Sequence, residues 1–102
     1  MLAKKRKFEK NIKSPKQMER HLKGVANHRR IEILFLIAGN EGITVEDIAE
    51  RLECNMKTIS EHTCRLSRSG LIRKDYKGRA VEHKLSPYGK AIYKFLLTFR
   101  HS

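Results

Sequence analysis

The stretch from Thr44 to Gly70 constrains this chain more than any other, because it reads as two helices with only a turn between them. Val45, Ile48, Ala49 and Leu52 fall at i, i+3, i+4 and i+7, one face of an α-helix. Thr44 stands before them as an N-cap. Asp47 follows three residues later, where a capping box usually has Glu or Gln. The pattern stops at Glu53 and Cys54, and Asn55 then caps a second helix expected from Met56 to Ser69, with Gly70 as its C-terminal stop. Two helices joined by so short a turn make a helix-turn-helix.

The flanks extend this unit into one domain. Ser14 followed by Pro15 is a cap with a proline whose missing N–H costs nothing in a first helical turn. Met18, Leu22 and Val25 continue from it as a short amphipathic helix that ends around Gly24 to Asn27. A second helix is expected from His28 to Ala38, apolar almost all round, with Gly39 as its stop. After Gly70 the period changes to two: Ile72, Lys74 and Tyr76, then a turn at Lys77 and Gly78, then Val81, His83 and Leu85, which is a β-hairpin. Ser86 and Pro87 repeat the cap-plus-proline start for a last helix, with Tyr88, Ile92, Phe95, Leu96 and Phe99 along one face. The expected class is α+β and mostly helical: three N-terminal helices, a fourth that completes the helix-turn-helix, a hairpin and a C-terminal helix.

A length of 102 residues leaves room for one domain and excludes a large multi-domain enzyme. The 23 Lys and Arg against 11 Asp and Glu leave +12, which favours a polyanionic partner, nucleic acid or an anionic membrane face. The charge is uneven. Residues 1–20 and 54–102 are strongly basic, and the segment between them is slightly acidic. Residues 1–13 read as a basic arm, flexible or a solvated helical extension, ahead of a domain over 14–102. The longest apolar run, Ile33 to Ala38, is far too short for a transmembrane span. Lys4, Lys5, Arg6 and Lys7 are not followed by the apolar segment of a secretory signal, so a cytoplasmic location is expected.

Three stretches, VANHRRIEIL, TVEDIAERLECNMKTISEHTCRL and SGLIRKDYKGRAVEHKL, together resemble the ArsR-type winged helix-turn-helix transcriptional regulators, without gaps from about Val25 to Leu85. LSPYGKAI looks more like the end of the wing and the following helix in MarR-type regulators. The resemblance implies a homodimer, paired through its first and last helices, that binds operator double-stranded DNA with the second helix of the motif in the major groove. The chain departs from the common pattern at Thr63, Glu53 and Glu61, where family members often carry Leu, Gly and Arg. The first two bear on packing and turn tightness, the third on which bases are read.

Stepping about 100° per residue from Ile59 puts Ile59, His62, Thr63 and Leu66 on an inward face. Lys57, Glu61, Cys64, Arg65 and Arg68 lie opposite, bordered by Thr58 and Ser60. This face is the candidate DNA-reading surface: Lys57 and Arg65 can donate to phosphates or guanine, Ser60 can bond either, and Glu61 can accept from cytosine N4. The wing adds Arg73, Lys74, Lys77 and Arg79, with Lys84 near its end and the tip at Lys77 to Arg79 best able to reach a phosphate or the minor groove. Met18 and Leu22, with Tyr88, Ile92, Phe95, Leu96 and Phe99, form the expected dimer face, although the last-helix stripe can equally pack on its own core.

No metal site, cofactor or catalytic constellation is expected. His62 and Cys64 stand two apart on one helix and cannot grip one ion, and Cys54 reads as a small turn hydrophobe. Cys64, between cationic neighbours, is either an oxidisable thiol or a passive surface cysteine. The reading that follows is a dimeric repressor that occupies a pseudo-palindrome. A weakly specific architectural DNA-binding protein, or an RNA- or protein-binding winged helix, stands as the alternative.

Overall fold

Local hydrogen bonds at the helix starts set the frame of the fold. A computed structural model describes residues 12–102, so most of the basic arm, residues 1–11, lies outside the described residues. Among the described residues the order is α1 (Pro15–Val25), α2 (His28–Gly39), β1 (Ile43–Thr44), α3 (Val45–Leu52), α4 (Met56–Arg68), β2 (Ile72–Lys77), β3 (Ala80–Leu85) and α5 (Pro87–Phe99). Ser14 Oγ accepts from the Gln17 N–H while Gln17 Oε1 accepts from the Ser14 N–H, a complete capping box at α1. Asn27 Oδ1 accepts from the N–H groups of Arg29 and Arg30, and Thr44 Oγ1 from that of Asp47. Asn55 Oδ1 accepts from Lys57 N–H at 2.7 Å. Each cap satisfies donors that the first helical turn leaves free.

The sheet is antiparallel in the order β1-β3-β2. Ile72 pairs with Leu85 and Lys77 with Ala80, so Gly78 and Arg79 form a two-residue loop. Gly78 takes φ 62° at the first loop position, as a tight hairpin turn with a glycine there requires. The short β1 was not expected. Ile43 pairs with His83 and Thr44 with Glu82, which fastens the base of the wing to the start of the helix-turn-helix. Two residues carry no readable period, so only the partner strand reveals them.

The core gathers Ile33, Leu34 and Ile37 of α2, Ile48 and Ala49 of α3, Ile59 and Leu66 of α4, and Leu71 and Ile72 beyond it. Thr63 is also fully buried. Its hydroxyl donates to the Ser60 carbonyl at 3.0 Å, so a polar residue sits inside α4 without an unpaired donor. His62 departs from the expected inward face. It is half-buried at the edge, with Nδ1 3.4 Å from Arg30 Nη1, because Arg30 of α2 occupies that flank of α4.

The stripe on α5 divides. Ile92 and Leu96, expected in the dimer face, are partly buried against the protomer's own core, together with Tyr93. The Tyr93 ring meets Phe35 of α2 edge-on at 5.2 Å. Tyr88, Phe95 and Phe99 stay 47%, 59% and 63% exposed, as do Met18 and Leu22 on α1 at 46% and 53%. The helix therefore packs one flank on the core and leaves the other in solvent. Its start is docked closely: Ser86 Oγ donates to the Gly70 carbonyl and accepts from the Gly89 N–H, and the Ser86 N–H donates to the Leu71 carbonyl.

Candidate nucleic-acid interface

The candidate surface begins with the turn before α4. Glu53 sits in the left-handed region at φ 53° and ψ 48°, and its N–H reaches back to the Ala49 and Glu50 carbonyls. This reversal ends α3 and lets Asn55 start α4 at once. Burial of Ile59, Thr63 and Leu66 sets the rotation of α4, leaving Lys57, Thr58, Ser60, Glu61, Arg65 and Arg68 exposed. Cys64 is half-buried and lines a groove with Arg30, Glu61, His62, Arg65 and Arg68.

The wing reaches the other end of the same surface. Arg79 at the hairpin tip lines one groove with Lys57 and Ser60 of α4 and Val45 and Glu46 of α3. Arg73, Lys77 and Arg79 are exposed. Lys74 is half-buried and faces His83 across the ladder, on the side of the sheet that carries buried Ile72, so it is less available than its neighbours. Lys84 is held by Asp75 at 3.0 Å; the bond and charge of Lys84 lower the Asp75 pKa, and those of Asp75 raise that of Lys84. A surface bearing Lys57, Ser60, Glu61, Arg65 and the wing tip can donate to phosphates and base edges, with the Glu61 carboxylate on α4 able to accept.

The family model HVO_A0114 matches residues 17–90, which include every element from α2 to β3. The chain belongs to the HVO_A0114 family. It is 35% identical over 65 residues to the transcriptional activator HlyU of Vibrio cholerae serotype O1, a match that covers 64% of this chain and 59% of that protein's length. A solved structure of HlyU from Vibrio cholerae superposes with a TM-score of 0.79 at 29% identity, covering 89% of this chain and 99% of that one. The homodimeric winged helix-turn-helix DNA-binding domain of Mb0332 from Mycobacterium bovis, a possible ArsR-family transcriptional regulator, superposes at 0.77 with 26% identity, over 84% of this chain and 80% of that one. These likenesses establish the winged helix-turn-helix fold of this HVO_A0114 family member.

Two basic groups of this HVO_A0114 family member escaped the reading of its sequence. Arg30 Nε donates to the Gly24 carbonyl at 2.6 Å, which holds the guanidinium beside α4. Burial, and then the charge of Arg65, lower its pKa. Burial also lowers the His62 pKa, and Arg30 adds to the effect while Glu61 opposes it. The second group is Lys16, Arg20 and Lys23 on α1, which line a groove with Arg65 and Arg68. Their i, i+4, i+7 spacing was a visible signal, overshadowed by the helix-turn-helix itself. Among the described residues no three His, Cys, Asp or Glu side chains gather as a metal site, and no helix is long and apolar enough to cross a membrane.

Proposed function

We propose that the protein is a homodimeric transcriptional regulator that binds double-stranded DNA at specific sequences, with α4 in the major groove and the wing on the adjacent backbone or minor groove. The observation that carries this reading is the two-sided α4. Ile59, Thr63 and Leu66 are buried, while Lys57, Ser60, Glu61, Arg65 and Arg68 stand free beside the basic tip of a wing. The relatives named as a transcriptional activator and as a homodimeric DNA-binding domain support it.

Pairing through α1 and α5 is supported by exposed Met18, Leu22, Tyr88, Phe95 and Phe99, apolar side chains that a lone protomer leaves in water. An isologous dimer carries two α4 helices about 34 Å apart and reads an inverted repeat. Whether it blocks or recruits polymerase then depends on where that repeat lies in a promoter.

Selection from a random-duplex pool, with competitor DNA at physiological salt, tests the reading. The expected product is an inverted repeat, and Glu61→Gln relaxes preference at one base pair of each half-site by about 1–3 kcal/mol. Tight, salt-steep binding without enrichment identifies an architectural protein instead. A failure to bind duplex while structured RNA or a protein is bound overturns the DNA reading altogether.

A further inference from the structure

Positive charge continues from Arg65 and Arg68 of α4 onto α1, which supplies cations outside the proposed reading surface. Lys16, Arg20 and Lys23 form one stripe on α1, and with Arg65 and Arg68 of α4 they line an open groove whose one acid is Glu19. Glu19 is already held by Lys23 at 3.2 Å. Arg20 Nη2 donates to the Arg68 carbonyl at 3.0 Å, so the two helices are tied together where the groove lies. The remaining N–H donors of that guanidinium have no protein partner among the described residues.

Five cations from two elements converge on one groove, and they repel one another. A solvated surface avoids that repulsion by interspersing acids, whereas a polyanion removes it. The phosphates of a duplex have the matching charge, and the groove shares Arg65 and Arg68 with the surface already proposed to meet DNA. Base edges are read by the N-terminal part of a recognition helix, which leaves residues of its second half to the groove's phosphate rim. Met18 and Leu22 place α1 on the dimer side of α4 in the proposed pairing, whereas Arg79 places the wing at the other end.

We infer that the groove between α1 and α4 is a second backbone-binding surface, which holds duplex phosphates between the two half-sites while the wing holds phosphates outside them. This rests on the proposed DNA-binding function. It assigns to Lys16, Arg20 and Lys23 a share of affinity and salt dependence, and no share of base preference.

Phosphate-ethylation interference on the selected inverted repeat, comparing the full chain with K16Q/K23Q, tests it. Both lysines are exposed, and an unchanged melting curve by circular dichroism verifies the variant's fold. In the wild type, ethylation of phosphates between the half-sites weakens binding. In K16Q/K23Q, which removes four lysines from each dimer, the affinity falls at least about tenfold, the salt slope becomes shallower by about 3.6, and interference at the central phosphates disappears while that at outer phosphates persists. An unchanged interference map overturns the inference, as does a loss of affinity that leaves the central interference in place. A groove built for an acidic protein surface gives the unchanged map together with unchanged duplex affinity. If the wild type enriches no repeat, the proposed function fails and takes the inference with it. A repeat bound without central interference overturns the inference alone.

Discussion

Nδ1 of His83 lies 2.9 Å from the carbonyl oxygen of Ile43 and ties the wing to the strand that opens the helix-turn-helix. His83 is fully buried, and its Nε2 has no partner among the described residues. The neutral ring with its proton on Nδ1 suits this site, since Nδ1–H donates to Ile43 and Nε2 needs no acceptor. Charging the ring would put a proton on buried Nε2.

Stability therefore depends on pH through this ring. Burial lowers the His83 pKa, with Lys74 adding to the effect, while the bond to Ile43 and the charge of Glu46 oppose it. Because the folded pKa lies below the unfolded one, the unfolded chain binds more protons as acid is added. The contribution is complete above about pH 6.5 and is lost as pH falls from there toward the folded pKa. His62, lowered for the same primary reason, acts in the same direction. Urea midpoints measured from pH 7.5 to 5 should decline below about 6.5, with the His83 ring resonance titrating below its ordinary value. A resonance that titrates at 6.5 or higher contradicts the prediction.

Glu53 carries a conformational cost, since a side chain with a Cβ is held at φ 53°. Glu53→Gly relieves about 1–2 kcal/mol of left-handed strain and returns part of it through a more flexible unfolded chain. The expected net is a stabilisation of about 0.5–1 kcal/mol, visible as a thermal midpoint several degrees higher. An unchanged or lower midpoint would show that the turn holds no such strain.

Gly89 has the opposite requirement. A Cβ there would collide with the backbone carbonyl of Leu71, to which the start of α5 is docked. Alanine is the better helix former, so propensity alone predicts that Gly89→Ala stabilises the protein. The collision decides instead, and a loss of about 1–3 kcal/mol is expected by denaturant unfolding.

Phe95 and Phe99 stack at 5.6 Å on the outer flank of α5. Replacing both by glutamate puts charge into the proposed dimer face while leaving Ile92, Tyr93 and Leu96 on the core. Sedimentation should show a folded monomer with strongly reduced affinity for an inverted repeat. A dimer of wild-type affinity would require a different pairing face.

The order of helices and hairpin was legible because its signals are local. Ser14, Asn55 and Ser86 cap their own helices, Gly78 turns its own hairpin, and the period of Ile59, Thr63 and Leu66 already oriented α4. The two-sided helix that carries the proposed function is thus written in thirteen consecutive residues. What only the tertiary structure decided depends on residues distant in the chain. Strand β1 exists because β3 pairs with it, and α5 turns Ile92 and Leu96 inward because Phe35 and the core lie beneath. Arg30, and the stripe of Lys16, Arg20 and Lys23, become part of a basic surface only when α1 and α2 pack beside α4. A helical period records which side of a helix is apolar; which element covers that side, and which charges meet across the gap, is set by packing energy summed over the whole fold.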